Sequence, residues 1–356
     1  MAYITRPAMA FPSHEITTRE LVSHLRANQP ELPHSERGFH VLFNTTVERR
    51  RFSQPLTAFR ELSDFGERNR AAFQSLLDLS ERASLQALTQ LDLGPDDIDA
   101  LITHHATGLA LPGLDVHLAN RLGLGQGAHR HLSRTPMTQL GCAGGVQALI
   151  KAVDYTASHP GARVLVVCAE TLGTLIHSFE TSLVDMMYKG LVGDGAAACV
   201  VTSGQPSAPS IRVIEPTTDV WEYVLPDSIA FYSMTFDHSG QHFGSTKDAL
   251  TAVDKAALPM LTWMRREKTE WSPDYCAIHP GGPRVLDRIS GALDIEEHLL
   301  QESRASLREC GNIGCVSIFD VLARTFRSSI RGKAQGLLAA FGPGFTCAAI
   351  KGEWTP

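Results

Sequence analysis

No stretch of this chain runs far enough without a polar residue or a glycine to cross a bilayer as a helix. Positive charge is not in excess either. The formal net charge is −6, so a broad basic surface for nucleic acid is not expected, although a local patch stays open. The opening residues Met1-Ala2-Tyr3-Ile4-Thr5-Arg6-Pro7 lack the apolar core of a signal peptide, and a cytoplasmic chain is expected. There is no disulfide framework. The seven cysteines are odd in number and scattered, and Cys168, Cys199 and Cys347 sit inside apolar runs, which suits reduced, buried thiols. His104-His105 has no third ligand at a sensible spacing, so a structural pair is expected and no metal site is read. What is present is bulk. With 356 residues, 43% of them hydrophobic, the chain is long enough for two domains or one large duplicated one.

The chain repeats itself. Asp99-Ala100-Leu101-Ile102-Thr103-His104 resembles Asp274-Tyr275-Cys276-Ala277-Ile278-His279, an offset of 175 residues between the two histidines. Gly141-Cys142-Ala143-Gly144-Gly145-Val146 resembles Gly311-Asn312-Ile313-Gly314-Cys315-Val316 at an offset of 170. Arg163 to Cys168 resembles Gly336 to Phe341 at an offset of 173. Three pairs in one order at nearly one offset predict two copies of a strand-helix-strand unit. Each copy reads as a buried strand (100–103; 276–278), a helix after a glycine-rich turn (144–155; 316–326) and a second buried strand (164–168; 337–341). The apolar runs do not alternate, as befits strands covered on both faces. Gly193-Asp194-Gly195 reads as a turn before a strand at 196–201. It resembles a phosphate loop only superficially, without the lysine. The Gly-, Pro- and Ser-rich 204–209 segment marks the seam, giving halves 1–205 and 206–356.

Three segments carry chemistry. Cys142 lies where a helix begins, which favours a thiolate. His279 is followed by Pro280-Gly281-Gly282-Pro283, a tight loop that can approach a ligand closely. Asn312 follows Gly311; it is either a helix cap or a neutral donor to a developing oxyanion. A thiol, an imidazole and an amide are the parts of covalent acyl chemistry. A depressed Cys142 pKa, deepened by an imidazolium partner, is expected. Arg49-Arg50-Arg51 is either a solvated face or a contact for ligand phosphates.

The Gln139-x-Gly141-Cys142-x-Gly144-Gly145 pattern, the His279 loop, Asn312 standing 33 residues beyond that histidine, and Phe341-Gly342-Pro343-Gly344-Phe345 together resemble the type III polyketide synthases, the chalcone synthase superfamily. Leu111 to Asp115, Val164 to Glu170 and Gly193 to Val201 match its pattern too, from about residue 40 to the end. The resemblance implies an α/β, thiolase-like, duplicated five-layered αβαβα architecture in a homodimer. It implies that Cys142 takes an acyl group from a starter acyl-CoA. His279 and Asn312 would hold the thioester of malonyl-CoA and stabilise the enolate left when CO₂ departs. Repeated two-carbon extension and cyclisation would follow, with no metal or redox cofactor. The three arginines are the candidates for CoA phosphates.

Departures from the family pattern point at the pocket. Of two gating phenylalanines usual in the family, Phe243 occupies one place and Val192 the other, which suggests room for a different or bulkier acyl unit. Ala106, Leu175, Met234 and Gly314 fall at positions that shape the cavity. Ala340 replaces the usual glycine before the terminal signature. The compact N-terminus looks like bacterial members. Two alternatives share the Cys, His, Asn order: a carrier-protein-dependent 3-ketoacyl synthase and, more remotely, a papain-type hydrolase, which would want an aromatic residue where Ala143 follows Cys142.

Overall fold

The computed structural model describes residues 1–28, 35–61, 64–127, 131–266, 271–328, 330 and 332–356. The N-terminal strands are β1 (Ala2–Thr5) and β2 (Ala8–Ala10), then a separate antiparallel pair, β3 (His14–Thr17) and β4 (Arg49–Phe52). Next come β5 (Ala100–His105), β6 (Ser133–Thr138), β7 (Arg163–Thr171) and β8 (Asp194–Thr202). The remainder supplies β9 (Ser210–Val213), β10 (Val220–Val224), the β11 (Tyr232–Asp237) and β12 (Gly240–Ser245) hairpin, β13 (Tyr275–Ile278), β14 (Gln335–Gly342) and β15 (Thr346–Thr355).

One hydrogen-bonded path runs β13-β14-β15-β9-β1-β8-β7-β5-β6. Strands from the two repeat copies therefore meet edge to edge, where β9 pairs with both β1 and β15. The path wraps two central helices. Gly144–Ser158 packs on β5, β7 and β8 and also on β14 and β15, and Ser317–Thr325 packs on β13, β14 and the Gly144–Ser158 helix. Val146, Leu149, Ile150, Ile318, Phe319 and Leu322 form the centre of this shared core. On one outer face lies the long helix Phe65–Thr89 with Leu114–Leu122. On the other lie Asp248–Met264 and Pro283–Leu293. The sequence of layers is helix, sheet, helix, sheet, helix, the thiolase-like arrangement.

The apolar runs behave as strands covered on both sides: every residue of β8 is buried, and all of β7 beyond Arg163. One expectation fails. Gly193-Asp194-Gly195 is not a turn, because Asp194 and Gly195 already pair with Thr171 and Glu170 of β7. Asp194 is buried there and accepts from the backbone N–H groups of Ser53 and Gly173, each at 2.7 Å. Those bonds substitute for the solvation that a turn aspartate would have. Burial still pushes its carboxyl up to about 6.

Candidate active site

Cys142 lies in a single 3₁₀ turn, Gly141–Ala143, between β6 and the central helix Gly144–Ser158. Gly141 holds φ +55°, and a Cβ there would come within 2.6 Å of the Pro343 ring. The terminal glycine-rich loop thus presses directly on the turn that carries the thiol, which only glycine permits. Asn312 lies ahead of the equivalent turn in the other copy, Gly314–Val316. It is pinned by backbone bonds: its N–H donates to Leu191 O at 2.7 Å and its carbonyl accepts from Gly193 N at 3.0 Å. Gly311 precedes it at φ +72°, where a Cβ would meet Leu191 O at 2.6 Å.

The side chain of Asn312 is a hub. Its Oδ1 accepts from Gly314 N at 2.8 Å, so it does cap the turn. The Cys142 thiol donates to the same Oδ1 across 4.0 Å. Its Nδ2 donates to Gly281 O at 3.3 Å, inside the loop that follows His279. The capping and the active-site readings of this asparagine therefore describe the same geometry. His279 directly follows β13 and is 1% exposed, yet neither ring nitrogen has a hydrogen-bond partner among the described residues. Burial holds its imidazole down at about 3, so the ring is neutral at physiological pH.

The electrostatics of Cys142 run opposite to the sequence expectation. Burial pushes the thiol up to about 12, and the negative charge of Glu170 adds to the rise; the contact with Asn312 and the turn backbone only partly oppose it. With His279 neutral there is no imidazolium to offset desolvation. Burial thus opposes charge on both the thiol and the imidazole.

A cavity of about 170 Å³ opens at Cys142 and Asn312. All six positions read as pocket residues line it: Ala106, Leu175, Val192, Met234, Phe243 and Gly314. Met234 and Phe243 are cross-strand partners in the β11–β12 hairpin. Val192 is tied to Asn312 by a parallel backbone bridge, which couples one wall to the Asn312 amide. Phe243 is braced by Tyr188 edge-on at 5.0 Å and by Tyr232 at 5.9 Å. Sequence reasoning did not find those tyrosines, nor Glu170. A signal existed for Glu170: it is a lone acid at the end of the apolar run 164–169. It is fully buried, accepts from Ala106 N at 3.1 Å and Thr107 Oγ1 at 3.0 Å, and burial pushes its carboxyl up to about 7.

The arginine run does not reach this cavity as a phosphate site. Arg50 is fully buried and donates to the carbonyls of Lys189 at 2.9 Å and Gly190 at 2.7 Å, and to Thr18 Oγ1. It is a structural cross-link between β4 and the helix Leu183–Leu191. Arg49 and Arg51 point the other way along the strand, toward Glu309 at 3.6 Å and toward Glu15. The period-2 alternation of a strand splits three consecutive arginines between two faces, so they cannot act as one basic patch. His104 is buried beside the cysteine turn, with Nε2 accepting from Leu140 N at 3.3 Å. The fold brings it within metal-ligand distance of Cys168 and Cys315, partners that linear spacing hid.

Comparison with known proteins agrees with this geometry. Residues 48–205 match the family model for chalcone and stilbene synthases, N-terminal domain, and residues 222–351 the model for the C-terminal domain. A phloroglucinol synthase of Pseudomonas fluorescens is 31% identical, with all of both chains covered. A 1,3,6,8-tetrahydroxynaphthalene synthase of Streptomyces coelicolor is 30% identical over 99% of this chain and 92% of that one. The crystal structure of 1,3,6,8-tetrahydroxynaphthalene synthase from that organism superposes with a TM-score of 0.92 at 28% identity. Germicidin synthase from the same source superposes at 0.90 and 30% identity; each structure covers 99% of both chains. The chain belongs to the chalcone and stilbene synthase family and is a bacterial-type type III polyketide synthase, an acyltransferase that forms carbon–carbon bonds.

Proposed function

We propose that Cys142, His279 and Asn312 share the work of the reaction as follows. A starter acyl-CoA enters the cavity and the Cys142 sulfur attacks its thioester carbonyl. His279, neutral at rest, takes the thiol proton as the sulfur attacks and returns it to the departing CoA sulfur. Malonyl-CoA then binds with its thioester oxygen toward His279 and the second N–H of Asn312 Nδ2. Loss of CO₂ leaves the bonding pair on the α-carbon as an enolate, held by those donors in a site from which water is excluded. The carbanion attacks the acyl group on Cys142, the cysteine sulfur leaves, and the chain is two carbons longer. Transfer back to Cys142 permits another round, and the finished chain cyclises to an aromatic or pyrone product.

The observation that carries this reading is the position of Asn312, in contact with the Cys142 thiol through one atom and with the His279 loop through the other. The unpartnered ring of His279 supports it, since a buried polar group without a partner costs on the order of 1–3 kcal/mol unless a ligand completes it. The wall residues Ala106, Leu175, Val192, Met234, Phe243 and Gly314 are assigned to shaping the chain. The chemistry calls on CoA thioesters alone, with no cofactor. The halves 1–205 and 206–356 contribute the nucleophile and its two partners respectively. A homodimer is part of the proposal. Free thiols throughout fit a cytoplasmic setting. With the family established, the carrier-dependent synthase and the hydrolase give way.

The test is incubation of the pure protein with malonyl-CoA alone and then with a panel of acyl-CoAs, with products read by mass spectrometry. Cyclised polyketides formed without any carrier protein support the proposal. Free fatty acid or thioester hydrolysis as the sole outcome refutes it.

A further inference from the structure

Outside the catalytic cavity, a second cluster joins the segment after β7 to the β11–β12 hairpin. It consists of His177, Glu180 and His242, with one ligand atom of each lying within 4.8 Å of the others. His177 is fully buried, and its ring stacks on that of His242 with centroids 4.2 Å apart. His177 Nε2 lies 2.8 Å from the carbonyl oxygen of Gln241. A carbonyl can only accept, so Nε2 carries the proton and Nδ1 keeps its lone pair. That Nδ1 is buried with no hydrogen-bond partner among the described residues. His242, by contrast, has both nitrogens engaged. Its Nε2 lies 2.9 Å from Asp237 Oδ1 and 3.2 Å from Ser239 Oγ, and its Nδ1 lies 2.6 Å from Glu180 Oε1.

Histidines that bind metals usually donate their far N–H to a backbone carbonyl or a carboxylate, which sets the tautomer and aims the near nitrogen. Both rings have that outer partner here: Gln241 O for His177 and Asp237 for His242. Arg68 and Lys189 leave the Glu180 carboxylate to His242 Nδ1, whose proton a bound cation would displace. Arg68 donates to the carbonyls of Phe59, Thr174 and Ile176, and Lys189 to the backbone carbonyl of Glu180. Glu180 and His242 are partly exposed, which provides a route in from solvent and space for a water ligand.

We propose that His177, Glu180 and His242 bind a divalent cation of the zinc class, with Asp237 and the Gln241 carbonyl as the outer partners. Two imidazoles and one carboxylate with an open fourth position suit Zn²⁺, whereas Mg²⁺ and Ca²⁺ prefer sites made of oxygen. The ion is a positioning element rather than part of the chemistry. It fastens the segment bearing Leu175 to the hairpin bearing Met234 and Phe243, and so fixes three walls of the acyl cavity. The sequence reading saw no metal because the ligands lie 65 residues apart along the chain, from 177 to 242.

The experiment uses the full chain stripped with EDTA, titrated with Zn²⁺ by calorimetry and with Co²⁺ by absorption. One Zn²⁺ per chain is expected, together with a rise of a few degrees in Tm. Cobalt should show visible ligand-field bands without thiolate charge transfer. His242→Ala and the near-isosteric Glu180→Gln should each weaken zinc binding at least hundredfold and abolish the Tm rise. Since Glu180→Gln preserves side-chain volume, it keeps the test valid if His242→Ala fails to fold. The proposal is overturned by wild-type protein that shows no saturable binding up to millimolar Zn²⁺, by binding that survives both substitutions, or by a cobalt spectrum dominated by thiolate charge transfer.

Discussion

The two copies of the strand-helix-strand unit build the same turn and use it differently. In the first copy the turn presents Cys142, whose thiol makes one long contact, 4.0 Å to Asn312. In the second copy the equivalent turn carries Cys315, and Asn312, just ahead of it, is held by the two backbone bonds of its bridge to Val192 and by its side-chain bond to Gly314 N. The strand-end histidines divide the same way. His104 accepts from the turn backbone, and a Cβ on Gly144 would fall 2.4 Å from its ring. His279 is equally buried, and neither of its nitrogens has a partner among the described residues. The two copies therefore share a geometry and differ in the side chains placed on it, which the proposed roles divide into groups that react and groups that hold. The difference between the two rings is one of degree, since His104 Nδ1 also lacks a hydrogen-bond partner among the described residues.

The sharpest way to break this comparison is to exchange the roles. Cys142→Ala is expected to abolish polyketide formation while malonyl-CoA decarboxylation, followed as CO₂ or acetyl-CoA release, persists; undiminished polyketide from that variant would refute the assignment. Asn312→Ala should slow decarboxylation by about 10²–10³-fold, the usual loss for one oxyanion donor. A change below tenfold would make Asn312 a cap and nothing more. Its first-copy neighbour should respond in stability instead. His104→Ala is expected to cost roughly 2–3 kcal/mol by leaving a hole beside the cysteine turn. Denaturant unfolding measures that cost, and an unchanged midpoint would deny His104 its packing role.

Smaller effects refine the electrostatics and the cavity. Because burial and Glu170 raise the Cys142 pKa, alkylation by iodoacetamide should accelerate with pH and reach half its maximum above the free-thiol value of about 8.5. Removing the charge with Glu170→Gln should move that midpoint down. A midpoint below the free-thiol value in the wild type would restore the thiolate–imidazolium pair. The least change is expected from Val192→Phe, which should narrow the accepted starters with little loss of rate on the smallest. An identical product profile across acyl-CoA chain lengths would remove Val192 from the wall.

Much of the site was legible because it is local. Cys142, His279 and Asn312 each announce themselves by the glycines around them, and those glycines are required where backbone comes too close for a side chain, as Pro343 does at Gly141. The pocket positions were found through the family pattern, and they do converge on one cavity. What was misread shares one cause. The direction of the Cys142 shift, the role of Arg50 and the nature of Asp194 all depend on burial, and burial is set by residues far away in the chain. A helix start argues for a thiolate only if desolvation does not outweigh it. Three arginines in a row look like a basic patch until strand alternation turns the middle one inward.

The sequence alone determined the duplicated strand-helix-strand plan, the three reactive residue types and their family, because apolar runs, glycine turns and side-chain chemistry are properties of neighbouring residues. Tertiary structure decided the protonation of those groups, the walls around them and the gathering of His177, Glu180 and His242. Those depend on desolvation and on distances between atoms remote in the chain, which no linear spacing records.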